Sequence, residues 1–401
     1  MLQMNIWILN HYAISPDMPG GTRHFDFGKE LVKRGHNVTI YASSFHYVKR
    51  EEMKLLKGER FKVEDYEGLR FVWIKTTSYY KNDWRRVLNM ISYSWRVYKI
   101  ARTIPQKKPD VIIGSSVHLF AVFSAFILSK SFKCRFIMEV RDLWPLTLIN
   151  TGIKKWHPFV ILLGILERFL YKRADKIITL LPKAYKYIKS FSIPGSKIIW
   201  IPNGVDINRF KMEKISTNKS QDFIMMYVGT FGLINDLEIV VQAASLIPSH
   251  IPIKFILVGD GPERNKLIKL AESLDLKNLE FKPPVSKSEI YKLLASADVL
   301  FAVSKNLPLY NYGLSFNKIF DYFASGKPVL FSSNSINNPV MEANAGISIV
   351  PDDPRAFAEA AIKLFNTKEE QREIMGKRGR EYVEKYHSIE KLADKFLKVI
   401  S

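Results

Sequence analysis

The sequence predicts an α/β protein made of two doubly wound domains of similar size. Three observations carry this. Short apolar runs alternate with helical patterns along the chain, as in parallel sheets covered by helices. The length, 401 residues, suits two domains. The alternation stops once, at the polar stretch KMEKISTNKSQD (211–222), and then restarts. That stretch lacks apolar periodicity and is the expected linker. The reading places one domain at 1–205 and a second at 206–386.

In the first domain, MNIWILN is the opening strand. It has no cationic segment before its apolar run and no small-residue cleavage site after it, so it reads as a strand and not as a signal peptide. Gly20 and Gly21 follow in a loop. A helix then runs from about Thr22 to Arg34 and stops at Gly35. HNVTIYAS, PDVIIGSS, CRFIMEV, ADKIITLL and KIIWIPNG are further strands, with the apolar helix HLFAVFSAFILSK after PDVIIGSS. In the second domain, FIMMYVGTFG, IKFILVGDGPE, LEFKPPV and ADVLFAVS are strands separated by helices. SFNKIFDYFASGKPVLF then supplies a helix, a Ser-Gly-Lys break and a strand. In such folds ligands bind where strand order reverses, at the carboxyl ends of strands. With two domains, the expected site is the cleft between them.

Composition is globular, with 47% apolar and 25% charged residues. One cysteine, Cys134, excludes an intramolecular disulfide and a zinc cluster of several cysteines, and fits a reducing, cytosolic setting. No run reaches the roughly 18 apolar residues of a spanning helix. The net charge of +21 is uneven: residues 1–210 hold 35 Lys+Arg against 16 Asp+Glu, and residues 211–401 hold 25 against 23. A lysine-rich background would load both halves alike. The basic half points to an anionic partner: a membrane surface, a nucleic acid or a polyanionic substrate. No nucleic-acid-binding module accompanies it, which disfavours nucleic acid.

Four motifs carry candidate chemistry. PGGTRHF (19–25) puts two glycines before a helix, where free N–H groups and the helix dipole suit a phosphate, although a Gly pair also makes a plain turn. EVRDLWP (139–145) displays Glu139, Arg141 and Asp142 where a buried strand ends, as a site or as a salt-bridged loop. VGDGPE (258–263) is a tight turn after a buried strand, and Gly259 there can be purely structural. In the fourth, Gly313 and Ser315 precede a helix carrying Lys318 and Asp321 on one face. Lys318 can reach a phosphate and Asp321 can accept from vicinal hydroxyls, or the two form a surface ion pair worth a few tenths of a kcal/mol. His118 follows GSSV at a strand end, lining a cleft or serving structure. The sequence holds no HExxH, GxSxG or P-loop motif, no paired His/Cys metal spacing and no DxD.

GGTRHFDFGKELVKRGHNVTIYAS, ADKIITLLPKAYKYI, IPNGVDINRF, YVGTFG, ILVGDGPE, FDYFASGKPVL and NAGISIVPDDP, in this order, resemble the segments of a family 4 glycosyltransferase nearly end to end. The resemblance implies the GT-B fold, two Rossmann-like domains facing each other across a cleft, with residues 387–401 crossing back to the first. It implies transfer of a sugar from a nucleoside-diphosphate donor, held by the second domain, to an acceptor held by the first. It also implies retention of anomeric configuration, no metal and no cofactor. Leaving-group charge would then be met by N–H groups and cations. Gly20 and Gly21 would approach the donor phosphates, with Arg23 a second cation nearby, and Gly229, Thr230 and Gly259 would line the donor side. Asp321 would bind the ribose. The partner acid expected eight positions before it falls at Gly313, and the Arg and Lys that hold the diphosphate in many members fall at Thr230 and Asn235.

Single preorganised contacts at such charge are worth roughly 3–4 kcal/mol, so a substitute is expected. SFNKIFDYFASGKP with GTFG upstream, together with RDLWP, is similar to the SxxKxxEYMAxGKP pattern, with Asp for Glu, of bacterial O-antigen and capsule transferases of the fucosamine-transferase kind. There Lys318 would bind the diphosphate, and the donor would be a UDP-linked N-acetylated amino or deoxy sugar. Backbone N–H groups of Gly313, Leu314 and Ser315 would face the sugar or the β-phosphate. Lys318, Asp142 and Arg141 become the catalytic candidates, with Glu139 and His118 on the acceptor side. The base would be read near Phe281 to Val285. The missing cations and acid also leave open a non-catalytic binding subunit, and a nucleotide-sugar epimerase is a further alternative.

WHPFVILLGILERFLYKR (156–173) and SYYKNDWRRVLNMISYSWRVYK (78–99) mix aromatic, apolar and basic residues. Each can lie in a membrane interface or be a buried helix. An anionic leaflet attracts such clusters at about 1 kcal/mol per basic residue. The expected acceptor is a lipid-linked, polyprenyl-diphosphate saccharide, and the expected location is cytoplasmic, peripheral on the inner face of the membrane.

Overall fold

The computed structural model describes residues 2–81, 83–116, 118–210, 222–286, 289–315 and 317–401; most of the expected linker (211–221) lies outside these. The first sheet has eight strands: β1 (Asn5–Leu9), β2 (Asn37–Ser43), β5 (Phe61–Tyr66), β6 (Leu69–Ile74), β7 (Val111–Ser116), β8 (Arg135–Val140), β9 (Lys176–Thr179) and β10 (Ile198–Trp200), in the order β10-β9-β8-β7-β1-β2-β6-β5. A small hairpin, β3 (Phe45–His46) with β4 (Glu51–Glu52), stands beside it. The second sheet, β13-β12-β11-β14-β15-β16, is built from β11 (Phe223–Val228), β12 (Ile253–Val258), β13 (Leu279–Lys282), β14 (Val299–Val303), β15 (Val329–Ser332) and β16 (Gly346–Ile349).

Within the two large sheets pairing is parallel except at β5, which runs antiparallel to β6. Strands buried on both faces read as continuous apolar runs, as VLFAV does, which is buried at every position. The β5–β6 hairpin is an addition to the strands expected from sequence. It turns at Glu67 and Gly68, both with positive φ, and its exposed β5 alternates where the buried strands do not.

Strand order reverses beside β1 in one sheet and beside β11 in the other. The loops after these two strands carry Gly20–Gly21 and Gly229–Thr230. The helix Arg23–Lys33 begins at Thr22, whose Oγ1 donates to Asp26 Oδ2 at 2.7 Å. Its far end is the Gly35 turn, at φ +85°.

The domains meet closely. Lys183 N donates to Tyr312 O at 3.0 Å. Asn203 N and Nδ2 donate to Ser315 Oγ and O at 2.9 and 2.6 Å. The C-terminal helix Ile389–Ile400 buries Leu392, Phe396 and Leu397 in the first domain's core, and Phe396 lies 5.0 Å from Phe27.

Candidate active site

A cleft of about 330 Å³ opens between the two sheet ends. Of the residues singled out from sequence, Gly20, Gly21, Gly229, Thr230, Gly259, Ser315, Lys318 and Asp321 line it. Pro284, Val285 and Ile290 form an apolar wall at one end. From the first domain, Tyr47 and Val48 close the opposite side.

The glycines here have steric reasons. Gly20 has φ +135°, and a Cβ there would lie 2.9 Å from Ile14 Cδ1. A Cβ on Gly21 would lie 2.6 Å from Asn317 Nδ2, so this loop touches the helix Asn317–Ala324 across the cleft.

Lys318 reaches the cleft from that helix. Its Nζ donates to Tyr227 Oη at 2.6 Å and to Asn235 Oδ1 at 3.1 Å, and lies 4.2 Å from the centre of the Tyr227 ring. Burial pushes its ammonium down to about 7. Thr230 and Asn235 are thus neighbours of a cation supplied by another element. Asp321, 5% exposed, faces both this cleft and a small crevice beside the hinge segment. Burial opposes the charge of Arg209, but Asp26, Asp206 and Asp321 outweigh it and hold the guanidinium above its ordinary range.

Other sequence candidates lie elsewhere. Arg23 is buried: Nε donates to Glu139 Oε1 at 2.9 Å, and its other nitrogens donate to the carbonyls of Ile201 and Pro202. The expectation of a phosphate-binding Arg23 is corrected, because its donors are spent inside the first domain. Glu139 is fully buried, and His24 Nε2 and Ser115 Oγ donate to it at 2.6 and 2.7 Å. Burial alone would raise it, but Arg23 and His24 hold it well below the usual carboxylate range. Glu139 is therefore a hub tying the Gly20–Gly21 helix to β8 and the hinge, not an acceptor-side group.

His118 is also fully buried. Ala121 N donates to its Nδ1, which leaves Nε2–H to donate to His11 Nδ1 at 2.7 Å. Burial pushes His118 down to about 3, so it stays neutral and structural.

Gly313 and Leu314 are a second correction. Gly313 N donates to Tyr310 O at 3.0 Å, and Leu314 N donates to Asn337 Oδ1 at 2.7 Å. Both N–H groups are satisfied within the protein and do not form an open cradle. A Cβ at 313 would lie 2.5 Å from Pro182 Cδ and 2.7 Å from Asn337 Oδ1, at φ +98°. No acid fits there.

Arg141 and Asp142 sit after β8, outside the lining of the cleft. Arg141 lies within electrostatic reach of Tyr47, which does line it, and no hydrogen bond engages its guanidinium among the described residues. Asp142 is exposed to solvent, yet protein from both domains surrounds it, with Tyr310 of the second domain near its charge. That desolvation raises its carboxyl above the ordinary value, against the pull of Arg141.

Tyr47, Tyr227 and Asn317 were not singled out from sequence. A Tyr in a buried strand carries no local mark, and Tyr47 sits in a short loop.

Two Rossmann-like sheets facing one cleft across their strand-order reversals make this a GT-B fold. The profile for Glycosyltransferase Family 4 matches residues 20–209 and that for Glycosyl transferases group 1 matches residues 208–382, so the chain belongs with the group 1 and family 4 glycosyltransferases. It is 24% identical over 309 residues to the putative colanic acid biosynthesis glycosyl transferase WcaI of Escherichia coli, covering 73% of this chain and 74% of that one. In structure it is similar to a sucrose-phosphate synthase from Thermosynechococcus elongatus (TM-score 0.79, 17% identity, 99% and 98% of the chains). It is also similar to Anabaena HepE in complex with UDP-glucose (TM-score 0.69, 14% identity, 99% of each chain).

Proposed function

We propose that this chain is a retaining glycosyltransferase of surface-polysaccharide assembly, moving a sugar from a UDP-linked donor to a lipid-linked saccharide at an anionic membrane surface. The observation that carries the donor half is the cleft, which gathers two glycine turns, a half-buried lysine and a buried aspartate from both domains. The base lies against Pro284, Val285 and Ile290, the ribose hydroxyls meet Asp321, and the diphosphate lies between Gly20–Gly21, Gly229–Thr230 and Lys318. The bond from the anomeric carbon to the diphosphate breaks, the acceptor oxygen bonds to that carbon, and the acceptor's proton leaves on the diphosphate. Lys318 and the N–H groups meet the charge that develops. Arg141 and Asp142 hold the acceptor side. HepE with bound UDP-glucose and WcaI of colanic acid biosynthesis support the donor class and the setting.

The acceptor half rests on the first domain's surface. The helices Trp84–Thr103, Leu119–Phe132 and Pro158–Arg173 pack side by side. Trp84, Leu88, Ile91 and Trp95 form one exposed stripe at helical spacing, and Ile161, Leu162 and Ile165 form another. Arg85, Lys99, Lys155, Arg168, Lys172 and Arg173 surround them and are exposed. Apolar stripes rimmed by cations fit the interface of an anionic bilayer. Among the described residues no helix is long and apolar enough to cross a membrane.

Thermal melts with UDP-, GDP- and dTDP-sugars test the donor. A ligand at 100 times its Kd that binds only the folded state adds about 2.7 kcal/mol of stability. No stabilisation by any of the three would sink the donor assignment. Flotation with anionic vesicles tests the surface: binding at low salt and release at high salt are expected, and no binding at low salt would refute it.

A further inference from the structure

The cation in the cleft is held in a cage whose members have no assigned role. Tyr227 Oη donates to Thr230 O at 2.8 Å, and Asn235 Nδ2 donates to the same carbonyl at 2.9 Å. A carbonyl only accepts, so both directions are fixed. The Tyr227 oxygen and Asn235 Oδ1 are therefore left to receive Lys318 Nζ. The cage presses Nζ against the turn: a Cβ on Gly229 would lie 3.0 Å from Nζ and 3.0 Å from Tyr227 Oη. One lysine, one phenol, one amide and one backbone carbonyl thus lock the Gly229–Thr230 turn to the helix Asn317–Ala324.

We propose that Tyr227 and Asn235 are positioning residues that hold Lys318 Nζ against this turn for the donor diphosphate, and that the site takes up a proton as the diphosphate binds. The proposal rests on reading the cleft as a nucleoside-diphosphate site. The cage offers Lys318 two neutral acceptors. Burial lowers the ammonium to about 7, so near neutrality a large fraction of free sites hold the amine. The titratable groups facing the site do not change this. Burial holds the Tyr227 hydroxyl well above its ordinary range, and that of Tyr322, which donates to the Val228 carbonyl, is also raised. Asp321 lies one turn along the helix, and Asp260 lines the far side of the cleft. Asp236, next to Asn235, is raised by burial to about 6 and lies 3.9 Å from Lys305. An arriving diphosphate brings negative charge that favours the ammonium. The amine present above about pH 7 must then be protonated on binding, so affinity falls as pH rises through that range, by up to about tenfold per unit.

Calorimetric titration of the purified chain with UDP, and with uridine as the probe lacking a diphosphate, at pH 8 in two buffers of different ionisation enthalpy, tests this. Uptake approaching one proton is expected for UDP and none for uridine. Lys318→Met removes the uptake and weakens UDP at least tenfold while leaving uridine unchanged. Tyr227→Phe and Asn235→Ala weaken UDP several-fold, again without touching uridine. Asn235→Asp gives a readout that a merely structural residue would not: its carboxylate keeps Lys318 charged beforehand, so uptake disappears and the pH dependence flattens. Thermal melts verify that each variant is folded. UDP binding without proton uptake, or unchanged in both Tyr227→Phe and Asn235→Ala, overturns the proposal and leaves the donor reading standing. If UDP, GDP and dTDP all fail to bind the unaltered chain, the donor reading falls and the proposal falls with it.

Discussion

Replacing Glu139 with Gln tests whether this carboxylate is a structural hub or touches substrate. Its side chain is 0% exposed and that of its partner Arg23 is 2% exposed. Gln keeps the shape but leaves the Arg23 guanidinium buried without its counter-charge. Breaking one side of a buried pair costs roughly 3–5 kcal/mol. In a domain of about 200 residues each kcal/mol moves the midpoint by about 2–4 °C, so the fall expected by scanning calorimetry at pH 7 is about 6–20 °C. Donor KM should rise as well, because Arg23 and His24 fix the helix that follows Gly20–Gly21. A double change, Arg23→Met with Glu139→Leu, removes both charges and should recover part of the loss. The acid limb checks the sign. Glu139 is held below its unfolded value, so its contribution is full above about pH 4.5 and is lost as pH falls toward the folded value. The Gln variant should lack that part of the acid slope. A midpoint within a degree or two of the unaltered protein, with turnover collapsed, would refute the reasoning and place Glu139 at the chemistry.

Three further outcomes are expected. Glu167, buried and receiving the hydroxyls of Tyr171 and Tyr187 at 2.8 and 2.9 Å, is pushed up by burial to about 8. Its folded value lies above the unfolded one, so its contribution is full below about pH 4.5 and is lost as pH rises through about 8; Glu167→Gln should flatten the fall in midpoint between pH 6 and 9, and a parallel fall in both proteins would contradict this. Gly313→Asp should raise neither turnover nor donor affinity and should lower the midpoint, since φ +98° costs a non-glycine residue about 1–2 kcal/mol before the clash with Pro182 is counted; a gain in turnover would show that the acid fits. Trp84→Glu combined with Trp95→Glu, both on exposed positions, should abolish flotation with anionic vesicles while shifting stability by no more than about 0.5 kcal/mol per site; undiminished flotation would move the membrane face elsewhere.

The parallel strands were legible because burial on both faces writes an unbroken apolar run into the sequence. The β5–β6 hairpin was passed over although FKVEDYEGLRFVWI alternates and carries a Glu-Gly turn; one strand is exposed and the other buried, so neither template fits the whole segment. Gly20, Gly21, Lys318 and Asp321 were legible because a glycine turn or a charge in an apolar helix is marked locally. Their partners were not. Asn235 meets Lys318 across 83 positions and Tyr227 meets it across 91, and an amide or a phenol in either place is unremarkable until the strands are ordered. The same blindness misplaced Arg23, Glu139 and His118. A charged residue at a strand end looks the same whether it faces a ligand or another buried side chain.

The absence of an acid at 313 and the presence of a lysine at 318 belong to one arrangement. Gly313 lies against Pro182 of the first domain, Leu314 is clasped by Asn337, and Ser315 is bonded at both Oγ and O to Asn203 of the hinge. This segment is therefore committed to holding the two domains together. Polar atoms spent on an interface are not available to a ligand, so under the proposed function the task of meeting the diphosphate falls to the next element. The helix Asn317–Ala324 starts within two residues of that clasp, which places Lys318 in its first turn and Asp321 one turn further on. A cation on this helix can reach the Gly229 turn only if something there receives it, and Tyr227 with Asn235 provides that. In that reading the neutral Thr230 and Asn235 and the lysine at 318 go together. Asn235 Oδ1 receives Lys318 Nζ at 3.1 Å, so a lysine at 235 would remove one of the two acceptors that hold Lys318 and put a second donor in its place.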